Sequence, residues 1–162
     1  MRRRSDKVIR VEVRDAQLQR RLTDLARYIA DRNTPNKKAS IDLYGFVARN
    51  FQQEGALVGG WAPLAPSTVE DKAKHGYSLI LQNTGQLRQS FVPFSDKEQA
   101  GVGAQRLSGL SDGRPADLAA IHQEGAGRIP ARPMLPSREQ ALEIGIRVYD
   151  LHIEQARRKA NV

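Results

Sequence analysis

The side chains in this sequence best able to move protons or hold a metal are three histidines and 18 carboxylates. His122-Gln123-Glu124 has the H-x-E form that, in zinc deaminases, sets a metal ligand beside a general acid–base. That site needs a pair of cysteines to complete it, and the chain has no cysteine. The same absence removes disulfides, thiolate nucleophiles and cysteine-bound zinc. No H-E-x-x-H, Walker loop or G-x-S-x-G occurs. Gly101-x-Gly103 is too short to cradle a nucleotide and reads as strand glycines. Asp42, Glu54, Glu70 and Asp71 are the candidates for paired acid–base work, yet they fall on expected helix surfaces, where a carboxylate is ordinarily a solvated charge. Asp112 and Asp117 flank a loop without the D-x-D-x-D-G array of a calcium site. The expectation is a chain that binds rather than turns over: no catalytic residue, no metal and no cofactor.

Basic residues are the other chemical resource. Lys and Arg number 26 against 18 acids, a formal charge of +8, which suits nucleic acid or an acidic protein surface. Arg2, Arg3, Arg4, Lys7, Arg10 and Arg14 crowd one end, and Arg157, Arg158 and Lys159 the other. Either cluster would neutralise phosphates. Aromatics are only 6 % of the chain and do not interleave with the cations, so no stacking platform is laid out. A small basic nucleic-acid-binding protein is therefore the alternative, not the leading reading.

These residues must be positioned by elements legible from periodicity. Ile9, Val11 and Val13 alternate with Arg10, Glu12 and Arg14, predicting a strand over Lys7–Arg14 with one wet face. Asp15 is placed to cap a helix carrying Leu18, Leu22, Leu25 and Ile29 at helical spacing. Thr34-Pro35-Asn36 is expected to break it. A second helix, with Tyr44, Val47, Ala48 and Phe51 as its stripe, runs from near Ser40 to before Gly55. Gly55–Pro66 reads as a loop around Trp61, and Ser67-Thr68-Val69-Glu70 as a capping box opening a short helix.

Further on, Leu87–Phe94 and Gln99–Ala104 read as strands about a polar turn. A Gly/Ser-rich flexible loop is expected over 104–116, then a short helix over Asp117–Glu124. Gly125–Pro136 reads as an extended arm. Ser137-Arg138-Glu139-Gln140 is a capping box opening the longest helix, with Leu142, Ile146, Tyr149, Ile153 and Ala156 as its buried face and cations at its C-terminus. The order predicts an α+β fold: a small, mainly antiparallel sheet packed against two N-terminal helices and a long C-terminal helix. About 40 % of residues are apolar, enough for one core, so 1–162 is expected to be one domain with a mobile basic tail at 1–7. No apolar run reaches the roughly 18 residues of a membrane span, and no signal peptide is recognised.

Three segments carry a resemblance. They are Phe51-x-x-Glu54 with Gly60-Trp61-Ala62-Pro63-Leu64-x-x-Ser67-Thr68; Ile80-Leu81-x-x-Thr84-Gly85-x-Leu87-Arg88-x-Ser90; and Ala120-Ile121-His122-Gln123-x-Gly125 followed by Ile129-Pro130-Ala131-Arg132-Pro133-Met134-Leu135. In order and spacing they resemble the phage virion morphogenesis, or tail completion, family of tailed bacteriophages, in its Mu-like form. The tail-completion-like part spans 8–156. Met134 stands where the family often has an aromatic.

The resemblance implies a virion protein, assembled in the host cytoplasm, that completes the tail or joins it to the filled head as a ring-forming neck component. The implied partners are further copies of itself in a hexamer, head-connector and tail-tube proteins, and passing contact with DNA in the lumen; no membrane is implied. Trp61, Arg88, Arg132, Pro133 and Leu135 are the interface candidates. Trp61 fits equally a plug that caps the core. The proline-framed 129–135 stretch fits either a preorganised docking arm or a rigid lead-in to the last helix.

Overall fold

The computed structural model describes residues 16–105 and 115–161. The basic tail, the expected strand over Lys7–Arg14 and residues 106–114 of the expected loop lie outside the described residues.

Helix α1 spans Ala16–Ala30 and α2 spans Asn33–Gln52. The break between them comes earlier than Thr34-Pro35-Asn36, and α2 starts well before Ser40. Asp31 explains the shift. Its carboxylate accepts the Asn33 N–H at 3.0 Å, the Thr34 N–H at 3.3 Å and the Thr34 hydroxyl at 2.6 Å, which satisfies first-turn donors. These bonds hold the Asp31 pKa below its ordinary value, the Thr34 side chain contributing most. Pro35 then sits in the first turn, where its missing N–H costs nothing. Helix α2 buries Ala39, Leu43, Phe46, Val47, Asn50 and Phe51, a stripe rotated from the expected one, so that Tyr44 faces outward.

A 3-10 turn at Ala56–Val58 leads to α3, Pro66–Lys74. Its first residue is Pro66, preorganised for that position, and Ala65 replaces the expected serine cap. Helix α4, Gln86–Gln89, is a single turn entered through Gly85 at φ 77°, where a strand had been expected to begin. Strands β1, Phe91–Ser95, and β2, Ala100–Ala104, form an antiparallel hairpin in the register Phe91↔Ala104 to Ser95↔Ala100. The Asp96 carboxylate closes the turn by accepting the Glu98 and Gln99 N–H groups at 2.7 and 2.9 Å. Gly101 lies opposite Phe94, whose exposed ring would have to turn aside for a Cβ, which would fall 2.3 Å from it.

Helix α5, Pro115–Glu124, ends at Gly125 with φ 79°, as the helix–glycine pattern predicts. The capping box forms as expected: Ser137 and Gln140 cap each other at the head of α6, Arg138–Ala160. The architecture is α+β. The hairpin packs on α2, and α1 lies along α6 rather than on the sheet. One core gathers Val47, Phe51, Trp61, Phe91, Ala119 and Met134. A second gathers Leu43, Phe46 and Ile144. Burying each large apolar side chain contributes roughly 1.5–3 kcal/mol. Asn36 ties three elements: its amide donates to Asp96 O at 2.8 Å, and its oxygen accepts the Tyr149 hydroxyl at 2.7 Å.

Helix α6 buries only part of the expected face: Ala156 is buried and Tyr149 half-buried. Ile144, Val148, Ala156 and Ala160 point inward, whereas Leu142 and Ile146 are 55 % and 61 % exposed and Leu151 and Ile153 also lie open. Leu142, Ile146, Leu151 and Ile153 are left uncovered by the packing among the described residues.

Candidate functional site

The three motif segments meet in space. Phe51, near the end of α2, holds Trp61 edge-to-face at 5.3 Å and 82°, with Phe91 at 5.9 Å on the same ring. The indole N–H donates to Pro133 O at 2.7 Å. Arg132 reaches back along the same seam: Nε donates to Ala62 O at 2.9 Å and Nη2 to Pro63 O at 3.1 Å. From α5, the Gln123 side-chain oxygen accepts the N–H groups of Met134 at 2.8 Å and Leu135 at 3.1 Å. Asn50 donates to Pro133 O and Met134 O at 3.1 and 3.3 Å. The middle segment joins through Glu54, whose carboxylate accepts the Ile80 N–H at 2.7 Å, and through Gln82, which donates to Phe51 O at 2.9 Å. Prolines stiffen the 129–135 arm, and side chains from α2, α5 and the Trp61 turn supply its hydrogen bonds.

The interface candidates separate accordingly. Trp61 and Arg132 are 7 % and 6 % exposed, and the Trp61 indole N–H and two of the Arg132 guanidinium N–H groups are engaged within the chain. Arg88 is exposed on α4, and Pro133 and Leu135 are half-buried. Asn50, Gln82 and Lys72 join the site without having been singled out from sequence. A polar residue on the apolar face of α2 was the available signal for Asn50; Gln82 and Lys72 had none.

Between these segments lies a cleft of about 660 Å³ walled by all three. Leu64, Leu81, Leu118 and Ile129 give it aliphatic walls, and Lys72, Arg128 and Arg132 give it cations, with no acidic side chain lining it. Lys72 is 6 % exposed; its ammonium donates to Asn83 Oδ1 and lies 5.9 Å from the Tyr77 ring centroid. His122 also lines the cleft. Burial first, and the Arg132 charge second, hold its pKa below the ordinary 6.5. Its Nδ1 is buried with no hydrogen-bond partner among the described residues.

The acid–base candidates do not assemble. Asp42 faces Lys38 and Arg147 at 3.9 and 3.7 Å, Glu54 is committed to Ile80, and Glu70 and Asp71 are exposed on α3. Asp71 lies 3.8 Å from His75. Asp117 is exposed on α5, and Asp112 lies outside the described residues. Among the described residues no group of three or more His, Asp or Glu is placed to hold a metal ion, and no helix is long and apolar enough to cross a membrane.

The sequence profile of the phage virion morphogenesis family matches residues 13–149. The chain belongs to that family. The match takes in all three motif segments and the cleft between them. Family membership makes this a virion-associated morphogenesis protein of bacteriophage, working with other virion components; the family is of a structural kind. No curated protein and no solved structure matches the chain.

Proposed function

We propose that this chain, as a single domain, completes the tail or joins it to the filled head, as one subunit of a ring at the head–tail junction. Six copies would match the sixfold tail. The work is binding: subunits close the ring, and exposed parts such as Arg88 and the half-buried Pro133 and Leu135 meet head-connector or tail-tube proteins.

The observation that carries the ring is the outward apolar face of α6. Leu142, Ile146 and Tyr149 border a groove of about 510 Å³ against α2, floored by Ala39, Leu43 and Gly145. A glycine in mid-helix costs about 1 kcal/mol relative to alanine. At Gly145 a Cβ would meet nothing within 4 Å among the described residues, which leaves room there for a close-packed neighbour. A heterologous contact whose rotation is a sixth of a turn closes into a six-membered ring with no free end.

Light scattering across protein concentration and salt tests this. The expected mass is six times 18.0 kDa, resistant to salt, with Ile146→Glu leaving a folded monomer. A wild-type chain that stays monomeric throughout, or an Ile146→Glu protein that still forms the ring, sinks the reading. The nucleic-acid alternative rests on Arg157, Arg158 and Lys159, exposed at the end of α6. It predicts binding to duplex DNA that weakens steeply with salt.

A further inference from the structure

We propose that the cleft between the three motif segments is a docking site for an acidic, extended segment of a partner virion protein, taking side-chain carboxylates against Lys72, Arg128 and Arg132 and aliphatic side chains against Leu64, Leu81 and Leu118. This goes beyond the ring reading and does not depend on it.

Charge carries the assignment. Burying a cation is costly unless an anion or good acceptors compensate it. Lys72 and Arg132 are both 6 % exposed, and neither has a carboxylate partner among the described residues. Arg132 uses two guanidinium N–H groups on the carbonyls of Ala62 and Pro63. A guanidinium has five such donors, and five less two leaves three. Those two carbonyls fix the plane of the fork, which is what bidentate carboxylate binding needs. Arg128 stands exposed in the turn after α5 and lines the same cleft. With no acid in the lining among the described residues, the cleft is a positive site without a counter-charge there.

The walls decide the class of partner. Nucleic acid in a groove needs aromatic faces or a basic track along its backbone. No Phe, Tyr or Trp lines this cleft, and its cations stand among leucines instead of along a ridge. Leucines beside buried cations match a peptide that alternates acidic and aliphatic residues. An extended peptide projects such side chains to opposite faces at period two.

The test is a titration of the full chain, with its arginine Nε–H signals followed by NMR. The probe is an acetylated, amidated peptide of alternating leucine and glutamate, with its glutamine counterpart as control. Saturable shifts of the Arg132 Nε–H with the glutamate peptide alone are expected. Arg128→Gln, which removes an exposed side chain, should weaken binding at least tenfold at an unchanged melting temperature. Lys72→Met should do the same where its spectrum shows a native fold. Absence of shifts in the wild type, or equal binding by Arg128→Gln, overturns the assignment. Displacement of the peptide by a thymidine oligonucleotide gives the cleft to nucleic acid and overturns it as well. The ring plays no part in the readout: a monomer that binds the peptide keeps this inference and loses the ring, and a ring that ignores it does the reverse.

Discussion

Replacing Gly55 by alanine should be among the most damaging single-atom additions this chain can receive. Gly55 has φ 86°, and a Cβ built on it falls 2.2 Å from Trp61 Cδ1 and 2.5 Å from Cγ. Two costs add. The left-handed backbone costs an L-residue about 1–2 kcal/mol. The indole must also leave its seat, which forfeits its bond to Pro133 O and its edge-to-face contact with Phe51. Pro133 O keeps Asn50 as a donor, so the lost bond is worth only about 0.5–1.5 kcal/mol. The ring pair adds about 0.5–1.5 kcal/mol. Gly59 is the control: its φ is 96°, and a Cβ there meets nothing within 4 Å. Gly59→Ala should therefore show the backbone cost alone, and Gly55→Ala about 1–3 kcal/mol more. Trp61 is the chain's one tryptophan, so urea unfolding followed by its fluorescence reads both stability and the native indole environment. Equal losses for the two variants, within about 0.5 kcal/mol, would refute the packing argument.

Gln123→Ala strips the acceptor from the Met134 and Leu135 N–H groups; with Met134 fully buried, a loss of about 2–4 kcal/mol is expected in denaturant unfolding, and a loss under about 1 kcal/mol would show that water replaces the amide. His122 makes stability depend on pH. Its pKa is lowered on folding from the ordinary 6.5, so the unfolded chain takes the proton first. The stability it contributes is complete above 6.5 and is lost as pH falls through the lower folded value. Between about pH 7.5 and pH 5 the melting temperature should fall further for the wild type than for His122→Gln, and parallel curves would refute it.

Helix existence was legible wherever local chemistry agreed with packing. The Ser137 capping box and the Gly125 terminator lie where the sequence puts them, because both are settled within one turn of chain. The long-range choices were not. Leu142, Ile146, Tyr149, Ile153 and Ala156 make as good a helical stripe as one through Ile144 and Val148, and periodicity does not say which faces α2. The same ambiguity rotated the stripe of α2 and turned Tyr44 outward. Leu87 was read as the start of a strand, but Gly85 at φ 77° opens a four-residue helix there and the strand begins only at Phe91. In the site, the motifs marked the right segments, while the hydrogen-bond partners joining them, Asn50 and Gln82 among them, come from contacts far apart in sequence.

The seam around Trp61 is also a statement about which positions are free to drift. Trp61, Arg132, Asn50 and Gln82 all donate to main-chain oxygens, those of Ala62, Pro63, Pro133, Met134 and Phe51. A carbonyl is supplied by any residue. The acceptor positions of these bonds are then constrained only by volume and backbone angle, and the chemical demand falls on the four donors, beside Gln123 and Glu54, whose side chains accept from the main chain. A relative of this chain can exchange Ala62 or Met134 for another side chain that fits and keep every bond; exchanging Arg132 for lysine loses the planar fork that holds the adjacent Ala62 and Pro63 carbonyls at once.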